Sequence, residues 1–258
     1  MTLLPTTRFG PAAAPGNFNE LMQLVLDARC GTSAFQTWMW RGQANMAWPV
    51  HSALYRRLGT PSEQEMREAE EYLLQSARHK GYGRVDGGEL SDIELLAKLQ
   101  HHGAATRLVD VSRNALVALW FASNAEPEQT GLLVGIHSDH LAGNEGRPLD
   151  TAYGALMDEL VGISHPYTWE PPPLTPRIAA QHSQFLLSAV SHDPRGSLRL
   201  PDAEESMLTI AISPDLKRSA MRVLDQLFDI RYLTMFPDFD GFCGSHSQRR
   251  SLFANERW

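Results

Sequence analysis

The chain has 258 residues, 43% of them hydrophobic and 21% charged, with a formal net charge of −7. These values describe ordinary globular material with room for a sizeable core, and an acidic balance without a long basic run excludes a passive nucleic-acid coat while leaving a local basic pocket open. Cys30 and Cys243 form no metal or disulfide spacing, which suits a reducing cytoplasm; no apolar run approaches the roughly 18 residues of a membrane span, and residues 1–16 lack a basic and then apolar signal pattern.

Residues 1–16, rich in Pro, Ala and Thr, read as a loose arm ahead of one domain over 17–258. Residues 17–29 fit an amphipathic helix that buries Phe18, Leu21, Met22, Val25 and Leu26. Aromatic alternation over 35–42 predicts a core strand ending in Trp40-Arg41-Gly42-Gln43. A glycine there lets the backbone come close to something, and an arginine offers a planar fork of donors for phosphate or carboxylate. The competing reading is an arginine that satisfies carbonyls at the sheet edge. Residues 44–59 read as irregular, with Arg56 and Arg57 solvated. Ser62 and Glu65 form a capping-box signature for a helix over 62–80 with Met66, Ala69, Tyr72 and Leu73 inside. Residues 81–88 read as a loop.

The stretch from Ser91 to Asn124 organises the chain. Ser91 and Glu94 form a second capping box, Leu95, Leu96 and Leu99 give one apolar face, and Gly103 after His101-His102 stops the helix. Residues 104–111 read as a strand with Thr106, Leu108 and Asp110 on one face and Arg107, Val109 and Val111 on the other. Ser112 can cap a second helix, apolar on every face from Ala115 to Ala122 and therefore deeply buried. Gln100, His101, His102, Thr106, Arg107, Asp110 and Ser112 are polar groups in a segment that wants burial, so they must pair or meet a ligand. A strand running into a helix N-terminus presents backbone donors that suit phosphate. Alternatively, Arg107 and Asp110 pin the first helix to the strand.

Residues 131–136 predict a strand, and His137 with His140 lacks the third ligand that a catalytic zinc needs. Residues 141–176 read mostly as loop, a lid or partner surface. Arg177 to Leu187 reads as strand, kink at Gln181, and strand. Residues 191–206 are a polar loop and 207–212 a strand. Ser213-Pro214 opens a helix over 214–228, and Met235 to Gly241 is turn-rich and apolar, before a basic, polar tail.

Four groups of residues together resemble the FRG domain family, named for an aromatic-Arg-Gly signature. They are Trp40-Arg41-Gly42 followed by Gln43; Glu94-Leu-Leu-Ala-Lys-Leu-Gln-His-His-Gly-Ala-Ala-Thr-Arg-Leu-Val-Asp110 leading into Ala115–Ala122; Ala180-Gln181 with Phe185; and Phe236-Pro-Asp-Phe-Asp-Gly241. The resemblance runs from about residue 17 to 245. Trp40 stands where Phe or Tyr is usual, and Val111 where an aromatic is common.

The motif order is in turn similar to ADP-ribosyltransferases of the Arg-Ser-Glu type, a fold-level analogy. It implies an α+β domain, a mixed or antiparallel sheet flanked by helices, and NAD as substrate. It makes Arg41 the pyrophosphate clamp, with Gly42, Gln43, Arg107, Ser112 and His102 also binding the nucleotide. Thr106 or Ser112 is the hydroxyl element. Gln181 stands where the analogy wants Glu, so Asp110 is the carboxylate left to stabilise an oxocarbenium-like centre.

The expected function is transfer of ADP-ribose to RNA, DNA or protein, as a toxin or antiviral effector checked by an antitoxin or regulatory protein. The rival is a nucleotide-sensing or partner-binding module without turnover. A third reading, a metal-independent nuclease using His101 or His102, competes with the simpler view that this pair sits at a helix C-terminus to meet its dipole. The first reading requires Arg41, Gln43, Thr106, Asp110 and Gln181 to converge on one cleft.

Overall fold

The first residues do not trail off as an arm. In the computed structural model, which describes residues 2–28, 37–85, 87–143, 146 and 148–246, Leu3–Pro5 (β1) pairs antiparallel with Pro11–Ala13 (β2). β2 joins the main sheet, with Ala12 and Ala13 buried. Strands of three residues are too short to show a period of two, so composition alone misreads them. Cys30, the start of the aromatic stretch at 35–36 and the basic tail lie outside the described residues.

Helix α1 (Phe18–Asp27) begins where Asn17 accepts the Glu20 N–H. β3 (Trp38–Gln43) follows, and residues 44–59 hold a helix, α2 (Ala53–Leu58), capped by Ser52 and closed at Gly59 in the left-handed region. Arg56 and Arg57 are exposed on it. α3 (Glu63–His79) has its capping box. Its inner face differs from expectation: Tyr72 is exposed and Glu70 is fully buried. The following loop carries a small hairpin, β4 (Arg84–Val85) and β5 (Gly88–Glu89).

α4 (Asp92–His101) has the second capping box and stops before Gly103, whose φ is +89°. The strand after it, β6 (Val109–Ser112), is shorter than expected, because the backbone before it bonds outside the sheet: the Ala104 N–H to the Leu99 carbonyl, the Arg107 N–H to Glu70 and the Leu108 N–H to the Thr106 hydroxyl. α5 (Ala115–Ser123) is capped by Asn114 rather than Ser112. β7 (Gly131–His137) is buried throughout, and β8 (Ala142–Gly143) is short.

Residues 141–176 are about half loop among the described residues, but they are not a single irregular lid. They contain α6 (Tyr153–Gly162) and β9 (Tyr167–Trp169). α6 has no local side-chain cap; the Tyr153 N–H is taken instead by Asp92 of α4 at 3.0 Å. A cap supplied by another element leaves no local start signal. Residues 176–180 form a helix, α7 (Pro176–Ala180), because Thr175 accepts the Ile178 N–H and Pro176 takes the first position. β10 (Ser183–Leu187), β11 (Met207–Ile212), α8 (Pro214–Phe228), α9 (Tyr232–Met235) and α10 (Phe239–Ser245) complete the chain.

The nine-stranded sheet runs β1-β2-β11-β7-β3-β6-β10-β9-β8. It is mixed: β2–β11 and β8–β9 are parallel, the remaining pairs antiparallel. Trp40, Leu133, Ile210 and Ile212 pack under α5, α8 and α1, while Met39, Leu132, Val134 and Ile136 face Val50, Leu198 and Leu200. A third cluster joins α3, α4 and α6 to β9 and β10. The protein is thus an α+β domain. Among the described residues no helix is long and apolar enough to cross a membrane.

A weak seam crosses the middle of this sheet. β3 pairs with β7 over six residues and β6 with β10 over four, but β3 meets β6 only at Trp40 and Ser112. The functional candidates gather where those two strands part.

Candidate functional site

Regular register from the Trp40–Ser112 pair would put Arg41 and Asp110 on opposite faces. Because the ladder ends there, the half-buried Arg41 side chain sits in the opening and its Nη1 donates to the Asp110 carbonyl at 2.7 Å. Both residues line one cavity of about 310 Å³ together with Trp40, Ser112, Phe121, Gln181 and Phe236. Arg41 Nε is buried without a partner among the described residues. Burial pulls the Arg41 guanidinium below its ordinary range, the charge of Asp110 opposing this and that of Arg56 adding to it.

Gly42 has a different job from the one expected. A Cβ there would lie 1.8 Å from the Ala118 carbonyl oxygen. The glycine lets β3 press against α5; the close approach is to a helix, not to a ligand.

Asp110 is held from behind. Its Oδ1 accepts from Gln100 Nε2 at 2.9 Å, and Gln100 Oε1 in turn takes a short hydrogen bond from the buried Thr106 hydroxyl. Thr106 Oγ1 also accepts the Leu108 N–H at 3.2 Å. Thr106 therefore lies outside the cavity and orients the amide that orients the carboxylate. Asp110 itself is exposed, and it forms no side-chain ion pair within 4 Å among the described residues.

Arg107 is not a nucleotide ligand in this arrangement. It is 2% exposed and turned away into the α3–α6 core. Its Nε meets Glu70 Oε2 at 2.5 Å, its Nη1 Glu63 at 3.0 Å, and its Nη2 the Tyr153 hydroxyl at 3.0 Å. Burial opposes its charge, but Glu70 and the hydroxyl of Tyr153 outweigh that and raise its pKa. The pairing reading of the sequence holds for Arg107, with partners on other helices rather than Asp110.

Gln181 caps α7 and lines the cavity, but its Nε2 donates to the Met235 carbonyl at 2.9 Å, and its own carbonyl accepts from Ser112 Oγ at 2.8 Å. Ser112 thus locks β6 to the α7 turn. Gln43 lies outside this cavity, with Nε2 donating to the carbonyls of Trp48 and Pro49. His102 is also outside it, exposed and 3.7 Å from Asp240.

The far wall comes from His101, Arg177 and the Phe236–Gly241 motif. His101 Nε2 lies 3.1 Å from Asp238 Oδ2, and its Nδ1 lies 3.1 Å from Thr175 Oγ1. Thr175 on one ring nitrogen and the nearby Asp238 hold the His101 ring in the cavity wall. Burial lowers its pKa, Arg177 and His102 adding to the effect and Asp238 and Asp240 opposing it. Arg177 Nη2 donates to Asp238 Oδ1 at 2.8 Å, and its guanidinium carbon sits 4.7 Å from the centre of the Phe236 ring. Asp238 caps α10 through the Gly241 N–H at 2.7 Å, and a Cβ at Gly241 would lie 2.0 Å from the Phe236 carbonyl oxygen. The Phe236–Gly241 motif is therefore a wedge that presents Phe236 to the site and sets Asp238 behind Arg177.

The site is a cleft with one guanidinium free at Nε, one oriented carboxylate, a second guanidinium neutralised by Asp238, and aromatic walls. Among the described residues no group of three or more His, Cys, Asp or Glu side chains is placed to hold a metal.

No curated protein and no solved structure matches the chain. The FRG domain family model matches residues 36–130, a span that contains Arg41, Gly42, Gln100, Asp110 and Ser112 on the near side of the cleft and Thr106 behind them. Residues 36–130 are thus similar to the FRG domain, and this stretch builds the Arg41–Asp110 side of the site.

Proposed function

We propose that this cleft binds NAD and breaks its bond to nicotinamide, passing ADP-ribose to a macromolecular acceptor. The observation that supports this most is the pairing of Arg41 and Asp110 on one cavity, with the Asp110 carboxylate oriented by Gln100 and Thr106. In this reading Arg41 holds the pyrophosphate. The bond between C1′ of the ribose and the nicotinamide nitrogen breaks, and its electron pair leaves with nicotinamide. Asp110 stabilises the positive charge that develops at C1′. A nucleophile of the acceptor then bonds C1′ and loses its proton. RNA, DNA or protein as acceptor, and a toxin or antiviral role under the control of an antitoxin or regulatory protein, follow from the same reading.

A second reading is nucleotide binding without turnover. It is favoured by Gln181, whose amide is committed to Met235, so that Asp110 is the sole carboxylate among the described residues lining the cavity.

Nicotinamide release from NAD by the purified chain, alongside NAD binding by calorimetry, tests both. Arg41→Ala should abolish binding and release while the circular dichroism spectrum stays native. Arg41→Lys should rescue poorly, since a point charge does not replace a planar fork. NAD bound but never cleaved would leave the second reading; a folded protein that does neither would refute both.

A further inference from the structure

Arg41 also borders a second cavity, of about 540 Å³, on its other side. Gln43 lines it and is 5% exposed. The two carbonyls that accept from its Nε2 fix the amide and leave Oε1 buried without a partner among the described residues. His51 and Arg41 line the same cavity, and their Nδ1 and Nε are also buried without a partner among the described residues. Three unsatisfied buried polar atoms around one space are costly unless something enters to meet them.

The charge of the lining says what kind of molecule. Arg41 and Arg56 face the space, and no Asp or Glu lines it among the described residues. This basic pocket lies on a chain whose net charge is −7. Arg56 Nη1 donates to the His51 carbonyl at 2.6 Å, and the His51 ring lies 4.5 Å from the Tyr55 ring, so these side chains are held in place. At the rim Trp48 is 45% exposed and makes no ring contact among the described residues. An indole left bare beside guanidinium groups suits a flat, phosphate-bearing ligand.

We propose that this second cavity is a nucleoside-phosphate site: phosphate on Arg41 and Arg56, base on Trp48, and Gln43 Oε1 with His51 Nδ1 meeting polar groups of the base or ribose. It rests on the proposed function only in that its occupant borders the Asp110 cavity. The nucleoside phosphate has two possible sources, the adenosine half of NAD or a nucleotide of a nucleic-acid acceptor.

The test is calorimetric titration of the full chain with AMP, then of Trp48→Ala and Arg56→Ala. Each variant should lose about tenfold in affinity, a single base–aromatic stack being of that order, and Arg56→Lys should recover part of the loss. Native circular dichroism spectra keep the comparison valid. Displacement of AMP by NAD would identify the adenosine half as occupant. Independent binding of the two, with a short single-stranded oligonucleotide weakened by Trp48→Ala, would identify an acceptor nucleotide. AMP that fails to bind at millimolar concentration, or binds both alanine variants as it binds the wild type, overturns the site. AMP binding that responds to Trp48 in a protein that never releases nicotinamide would keep this site and refute the proposed turnover. Nicotinamide release without AMP binding would do the reverse.

Discussion

Asp110→Asn separates chemistry from architecture with little ambiguity, because the carboxylate does almost no structural work. Asparagine keeps an oxygen for the Gln100 Nε2 hydrogen bond, and the Arg41 contact is to the Asp110 backbone carbonyl, which the substitution leaves alone. The side chain is exposed; the buried Arg107 is satisfied by Glu70 and Glu63, and Asp110 supports the Arg41 guanidinium only through its charge, without a direct side-chain contact. Stability should therefore change by no more than about 0.5 kcal/mol, a melting shift of about 1–2 °C for a chain of this size. If the carboxylate stabilises charge that exists only in the transition state, NAD affinity should hold within about threefold while turnover falls roughly a hundredfold or more, about 2.7 kcal/mol of barrier. Melting temperature, NAD affinity by calorimetry and nicotinamide release are measured on one preparation. A variant with full turnover per folded molecule would remove Asp110 from the mechanism. A variant that melts many degrees lower would refute the structural account of how Asp110 is held.

Arg107→Met should cost about 3–5 kcal/mol in urea unfolding, because it leaves the fully buried Glu70 carboxylate without its cation; a loss below about 1 kcal/mol would mean that this network carries little stability. Gly42→Ala should destabilise toward the upper end of roughly 1–3 kcal/mol, through overlap with the Ala118 carbonyl, and a thermal melt matching wild type would show that β3 and α5 can separate freely. Acid should act in two steps. His51 and His101 have pKa values lowered first by burial, so the unfolded chain takes their protons more readily and stability falls as pH drops below about 6.5. In Glu63, burial would raise the pKa, but Arg107, the Val190 N–H and Arg67 outweigh it and hold the carboxyl low; its contribution is present above the ordinary carboxylate range and lost below about pH 4. Melting temperature against pH should show both steps, with the upper one reduced in His101→Asn; a flat profile from pH 7 to 5 would contradict the burial of these histidines.

Elements with their own start and stop signals were legible in the sequence. The Ser62–Glu65 and Ser91–Glu94 boxes set α3 and α4, Gly103 ended α4, and Ser213-Pro214 opened α8. The Arg41–Gly42 signature and Asp110 were marked as candidates because polar groups ending apolar strands need partners. Those inferences rest on interactions within a few residues of the chain, which sequence encodes directly.

What lies between elements was decided only by tertiary structure. α6 takes its cap from Asp92, sixty-one residues earlier, so no local cap announces it. Glu70 was not among the residues expected inside α3, and Arg107 was open to a ligand or a pairing role, until α3 and the segment before β6 came together and paired them in the dry core. Gly42 was read as room for a ligand; the approach of α5 shows that the room is filled by Ala118. The cleft itself exists because β3 and β6 share a single pair before they part, and its far wall arrives from Arg177, Phe236 and Asp238, far along the chain. Sequence alone determined which residues had unmet polar groups. Whether each was met by a neighbour, as in Arg107, or left facing a cavity, as in Arg41 Nε and Gln43 Oε1, depended on which surfaces the fold brought within about 3 Å, the reach of a hydrogen bond.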